Sequence, residues 1–302
     1  MKIPSLAFLL LAASGSLLAQ DRAHQLAQQA SQQHAARCPN GNVTLQQCHD
    51  QFPDGCSAAA HPNYDAYLDF LKDQDPDPSL ASTKNLGVAD FTSLEAKLPQ
   101  LSGKGKGKKS QLLNSSNHAA FANPLAGLGE GNIHTVIAYL YFVQDTSKAS
   151  PGHTAIGETC NCRIADPNDF DYHIGLGFDS SLAAQARTKH PKEGDPLFSQ
   201  LQKKSVVAEM TPYPRHTHHP NWTFDRVNSH QGEQVKVVGQ LMVDNYHFKA
   251  ADDCGLSNAA PGCWRSTIWE MHAVTQFLVC NLSAGCDASS PDSAWTSLDT
   301  AH

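Results

Sequence analysis

The chain has 302 residues, 40% of them apolar and 17% charged, with a net charge of −7 when histidine is neutral. That is enough apolar content for a packed core in one or two domains. The negative balance argues against non-specific nucleic-acid binding, which needs a basic surface to displace counterions.

At the N-terminus, Met1 to Ala19 reads as a secretory signal. Lys2 gives the positive start, Leu6 to Leu18 the short apolar stretch, and Ala19 the small residue at the cut. The stretch is too short to span a bilayer, where roughly 20 apolar residues are needed. No later segment is apolar enough to do so. The expectation is an exported protein, secreted or periplasmic, with no cysteine at the cleavage point to carry a lipid anchor.

Nine cysteines fit an oxidising compartment. Cys254–Cys263 and Cys280–Cys286 are expected as local disulfides, and two of Cys38, Cys48 and Cys56 are expected to pair. Cys160 and Cys162 are too close to bond to each other without strain, so each looks elsewhere. An odd total leaves at least one thiol over. A zinc site at Cys160/Cys162 matches none of the usual spacings.

Residues 20–100 read as a helical, cysteine-containing N-terminal region. Tyr64, Tyr67, Leu68 and Leu71 recur at helical spacing, and Pro76 and Pro78 end that helix. A second helix is expected over Phe91–Leu98. Residues 101–130 read as a linker, with alternating Gly and Lys from Gly103 to Lys109 best taken as a solvated spacer.

Residues 131–286 carry five strand-like blocks: Ile133–Val143, Phe170–Phe178, Ser205–Met210, Gln234–Val243 and Ser266–Val279. One helical block, Pro220–Ser229, falls between the third and fourth. A β-β-β-α-β-β order suits a mainly β fold, a five-stranded OB-like Greek-key barrel behind the disulfide-pinned helical region. Gly239 marks a bulge or corner in it. Between Glu130 and Cys286 there are 12 Lys+Arg against 16 Asp+Glu, so the barrel too is mildly acidic. Residues 287–302 read as a flexible tail.

Several of these blocks carry a recognisable pattern. Glu158-Thr-Cys-Asn-Cys162, Asp171-Tyr-His173, Glu209-Met-Thr-Pro212, Gly239-Gln-Leu-Met-Val-Asp244 and Trp269-Glu-Met-His272 resemble a group of exported bacterial proteins of unassigned function. The likeness covers about half the chain and departs at Ala273, where the group has proline. It implies an OB-like barrel and lends no reaction.

Alternation in block two puts Tyr172, Ile174, Leu176 and Phe178 on a core face, and Asp171, His173, Gly175 and Gly177 on the other. The glycines leave either open space for a ligand groove or room for a close approach. In block five, Glu270 and His272 share a face with apolar neighbours. A buried carboxylate there needs a partner, and His272 or Arg265 can supply one. Should the two blocks adjoin, Asp171, His173, Glu270 and His272 would suit a divalent metal, with one carboxylate left as a general base. The plainer reading is a hydrogen-bonded network.

His216, His218, His219 and His230 make a second group in a loop, more in keeping with adventitious metal binding than a built site. Trp222 is either the plug that seats a helix or a platform on which a sugar stacks. No G-x-S-x-G, P-loop or C-G-x-C-W is present. The leading expectation is therefore a non-catalytic binding module for an extracellular saccharide, peptide or small molecule. The alternatives are a metal-dependent, phosphodiesterase-like hydrolase using Asp171, His173, Glu270 and His272, and a structural envelope protein.

Overall fold

The computed structural model describes residues 43–55, 65–82, 84–104, 110–145 and 157–300. The segment read as a secretory signal, Cys38, Cys56, Tyr64 and most of the Gly/Lys run lie outside the described residues. Capping side chains set the first helices. In α1 (Leu45–Gln51), Thr44 accepts from the Gln47 amide and the Gln47 side chain accepts from the Thr44 amide, each at 3.1 Å. In α2 (Ala66–Lys72), Asp65 accepts from the Tyr67 and Leu68 amides at 3.1 and 3.2 Å. That helix buries Tyr67, Leu68, Phe70 and Leu71 beside Ala122 and Met242.

Next come α3 (Val88–Glu95), a hairpin of β1 (Ser102–Lys104) and β2 (Ser110–Leu112), and α4 (Ala122–Ala126). Leu86, Phe91, Leu98, Phe121 and Leu125 from this region enter the same apolar core as the main sheet. The helical region and the sheet thus share one core.

The main sheet contains β3 (Ile133–Asp145), β4 (Tyr172–Gly177), β5 (Ser205–Met210), β6 (Gln234–Val243), β7 (Trp269–Cys280) and β8 (Trp295–Ser297). Its order is β5-β4-β3-β6-β7-β8, antiparallel throughout, and β5 also pairs in parallel with β7. That last pairing bends the sheet into a ring. The seam comprises only Ala208↔Met271 and Glu209↔His272, so the sheet is ring-like rather than a fully closed barrel. Register shifts on either side of Gly239 mark the irregularity expected there.

Two helices that were not expected join β4 to β5: α5 (Ser180–Lys189), capped by Asp179, and α6 (Pro196–Lys203), opened by Pro196. Between β5 and β6 there are also two, α7 (Pro212–His218) and α8 (Phe224–Asn228), where one was expected. Pro212 sits in the first turn of α7, where its missing N–H is harmless.

Leu182, Ala183, Ala186, Phe198 and Leu201 of α5 and α6 pack on Tyr141 and Phe142 of β3. These rings explain Gly175 and Gly177. A methyl group at Gly175 would strike the Phe142 ring, and one at Gly177 the Tyr141 ring. The space above the two glycines is filled by aromatic side chains and is not a ligand groove.

The segment read as a tail adds β8 to the edge of β7, with Trp295 and Leu298 buried. The Cys280–Cys286 disulfide turns the chain back, and Ala294 and Trp295 pack against it. Cys254–Cys263 is likewise bonded, and Cys48 is bonded to Cys162. Cys160 remains a buried thiol.

A carboxylate and imidazole cluster as the candidate functional site

Strands β4, β5 and β7 lie side by side, and their register sets His173 opposite Glu209 and Glu209 opposite His272. The residues flanking these three, among them Tyr172, Ile174, Ala208, Met210 and Met271, enter the apolar core. Alternation therefore turns His173, Glu209 and His272 to the opposite face, together with Asp171 and Glu270 two residues before the histidines.

Glu209 is the hub. Its Oε1 is 3.3 Å from His173 Nε2, and its Oε2 is 2.9 Å from His272 Nδ1. Glu270 Oε1 lies 3.4 Å from His272 Nδ1, and Glu270 Oε2 lies 3.3 Å from Arg265 Nη1. Asp171 Oδ2 accepts from Asn161 Nδ2 at 2.6 Å.

The N-terminal region supplies the roof. Lys72, the last residue of α2, places its Nζ 3.0 Å from Asp244, 3.2 Å from Glu158, 3.8 Å from Glu209 and 4.0 Å from Glu270. Glu158 stands on the tight loop before β4, and its Oε1 is 3.2 Å from His173 Nε2. That loop is fixed twice, by the Cys48–Cys162 disulfide and by Thr159 Oγ1 donating to Asp69 at 2.7 Å. The fastening is needed because Cys162 and Arg163 both adopt left-handed backbone, with φ of 52° and 54°.

The cluster is open on one side only. The Glu158 and His173 side chains are 26% and 16% exposed, whereas those of Glu270 and His272 are wholly buried. A cavity of about 220 Å³, lined in part by Asp69, Lys72, Thr159 and Asp244, borders the cluster at Glu158.

Burial and mutual charge set the protonation states. Burial alone would lower the pKa of His272, but Glu209 and Glu270 outweigh it and hold the group at about 10. Burial opposes a charged His173 too, yet Glu209 and Glu158 keep its pKa well above the ordinary histidine value. Burial, with the charges of Glu158 and Glu209, lifts Asp171 to about 8. Against the burial of Glu158 itself, Lys72 and His173 help keep it ionised, with a pKa of about 2.

Four groupings of three acidic, histidine or cysteine side chains in this cluster bring their ligand atoms within 4.8 Å of one another: Glu158/His173/Glu209, Glu158/Cys160/Asp171, Asp171/Glu209/His272 and Glu209/Asp244/Glu270. The four residues singled out from sequence, Asp171, His173, Glu270 and His272, all belong to the cluster. No three of them share one such space. They meet through Glu209, Glu158 and Asp244. The role of hub is invisible to strand alternation, although Glu158, Asp171, Glu209, Asp244 and Glu270 occupy all five of the motif blocks.

Elsewhere the expected residues are dispersed. His216 pairs with Asp169, His218 with Asp75, His219 with Asp299 and His230 with Glu233. Trp222 is buried, with His219 stacked on its ring at 3.8 Å between centroids. Compared with known protein families, with curated proteins and with solved structures, the chain finds no match.

Proposed function

We propose that the protein is an exported hydrolase acting on an ester or phosphoester, on an OB-like scaffold. The observation that carries this reading is the mouth formed by Glu158, His173 and Glu209, where two carboxylates grip one imidazole at 3.2 and 3.3 Å and Glu158 also lines a cavity. Charged groups are expensive to bury, and such clusters concentrate where chemistry is done. Behind the mouth, Lys72 is already held by Asp244 and Glu158, so it orders the carboxylates and does not face substrate. Glu270, Arg265 and His272 lie too deep to touch substrate and serve to hold Glu209 in place.

The strand arrangement supports the OB-like part of the reading: β3 pairs with both β4 and β6, β5 meets β7, and helices join β5 to β6. Three disulfides among the described residues support export. No helix among the described residues is long and apolar enough to cross a membrane.

A second reading, a non-catalytic binding module, is favoured by a groove of about 510 Å³ whose walls include Phe91, Phe178 and Val206, with Lys203 and Lys204 also lining it. That size suits a small ligand. A panel of p-nitrophenyl carboxylic esters and bis-p-nitrophenyl phosphate separates the two. Hydrolysis that disappears in His173→Ala, with the circular dichroism unchanged, is the expected result. No turnover of any substrate on the panel would favour the binding module.

A further inference from the structure

We propose that Glu158, His173 and Glu209 form a three-ligand site for a first-row divalent metal ion, zinc or manganese, with further coordination positions open to solvent. The inference rests on the hydrolase reading of the same mouth and names what activates water there.

The distances fit. Bonds of about 2.0–2.2 Å from one ion to nitrogen and oxygen ligands set neighbouring ligand atoms roughly 3–3.5 Å apart. His173 Nε2 lies 3.2 Å from Glu158 Oε1 and 3.3 Å from Glu209 Oε1, and all three atoms fall within 4.8 Å of each other. One imidazole with two carboxylates suits zinc, manganese or iron better than the all-oxygen shells of calcium and magnesium.

Outer contacts aim the ligands. Glu209 Oε2 is held 2.9 Å from His272 Nδ1, and Glu158 Oε2 3.2 Å from Lys72 Nζ, which leaves the Oε1 atom of each carboxylate turned to His173. These ligands come from a loop and two strands, so the disulfide and the sheet register together assemble the site.

The other three groupings serve less well. Glu209, Asp244 and Glu270 already surround the Lys72 ammonium at 3.8, 3.0 and 4.0 Å. Asp171/Glu209/His272 is fully buried, with no side open for water or substrate. Glu158/Cys160/Asp171 depends on a buried thiol and a buried carboxyl. Only the mouth grouping joins suitable chemistry to an open face, and an ion there would lower the pKa of a bound water and make it the nucleophile.

The test is calorimetric titration of the full chain, stripped with EDTA, using zinc chloride and separately manganese chloride. One equivalent of one of them should bind, at least about tenfold more weakly in Glu158→Gln and His173→Gln, and unchanged in His218→Ala. No binding, binding retained in both mouth variants, or binding lost in His218→Ala would overturn the site. Should the mouth variants unfold, cobalt(II) added to the wild type gives an independent readout. Large paramagnetic shifts of the His173 ring protons support the site, and shifts confined to His216, His218 and His219 overturn it. Metal bound without turnover on the ester panel keeps the site and removes the hydrolase reading. Turnover unchanged by stripping does the reverse.

Discussion

Glu209 Oε2 lies 2.9 Å from His272 Nδ1 while its Oε1 lies 3.3 Å from His173 Nε2, so one carboxylate links β5 to the strands on either side. The ring closes through two backbone register pairs, one of which is Glu209↔His272. Side-chain charge therefore reinforces a short seam.

Glu209→Gln keeps the shape and removes the charge, leaving buried His272 and half-buried His173 without their principal counter-ion. The expected loss is about 3–5 kcal/mol, the range for breaking a buried pair from one side. Guanidinium denaturation reads it as a lower midpoint with an unchanged slope. A loss under about 1 kcal/mol would mean that the seam does not depend on this carboxylate.

Lys72 occupies the corresponding position on the roof, with four carboxylates within 4.0 Å. Lys72→Met is expected to destabilise by about 3 kcal/mol or more, since the carboxylates then repel in a buried setting. Adding Asp244→Asn should recover part of that loss, because its carboxylate is the nearest, at 3.0 Å. A double-mutant cycle checks this, and strictly additive single effects would rule the coupling out.

A separate buried pair gives a pH dependence. His118 Nε2 lies 3.0 Å from Glu130 Oε1, and its Nδ1 lies 2.7 Å from Asn245 Oδ1. Burial lowers its pKa, but the Glu130 charge and hydrogen bond prevail and raise it from 6.5 to about 9. A folded pKa above the unfolded one favours folding while the group is charged in both states. The contribution is thus full below pH 6.5 and fades as pH rises toward 9. It amounts to roughly 3 kcal/mol. The melting temperature should fall between pH 6 and pH 9 more steeply in the wild type than in His118→Gln, and equal slopes would refute the assignment.

Gly177 faces the Tyr141 ring, whose hydroxyl donates to the Asp179 carbonyl at 3.0 Å and accepts from the Asp179 amide at 2.9 Å. The ring is pinned at its far end and has little room to yield. Gly177→Ala is expected to destabilise by about 1–3 kcal/mol through overpacking. Thermal denaturation gives the value, and a neutral or stabilising effect would show that the ring can move aside.

The five main strands, β3 to β7, were legible because each is apolar on at least one face and bounded by proline, glycine or a polar turn. Ser205–Met210 and Gln234–Val243 coincide with β5 and β6 to the residue. Helix α5 was not, because Ser180–Lys189 has no strong apolar stripe and its signal lies in the Asp179 cap, whereas α6 was overlooked despite Pro196 and the apolar pair Phe198 and Leu201. Residues 287–302 read as a tail because the three-residue strand β8 is defined by its pairing to β7 and carries no periodicity of its own. In the site, alternation located Asp171, His173, Glu270 and His272. It could not find Lys72, whose helix reads as amphipathic with a charged end, nor rank Glu209 above any other strand carboxylate. Their roles arise from register and from a disulfide joining residues 114 apart, and neither is written in local sequence.

That disulfide leads to the last expectation. Linking Cys48 to Cys162 closes a long loop, and chain-entropy reasoning assigns such a link about 4–5 kcal/mol. It also fastens a turn with two left-handed residues, Cys162 and Arg163, which would relax if released. The double variant Cys48→Ser, Cys162→Ser should therefore lose several kcal/mol and loosen the Glu158 loop ahead of the sheet. Hydrogen exchange separates the two effects. The Gly157 amide, bonded to the Ile164 carbonyl at 3.0 Å, and the Cys162 amide, bonded to the Thr159 carbonyl at 3.1 Å, should exchange faster while β4 and β5 stay protected. Uniform acceleration across the sheet would instead mean that the disulfide stabilises the whole molecule and has no particular hold on the mouth of the cluster.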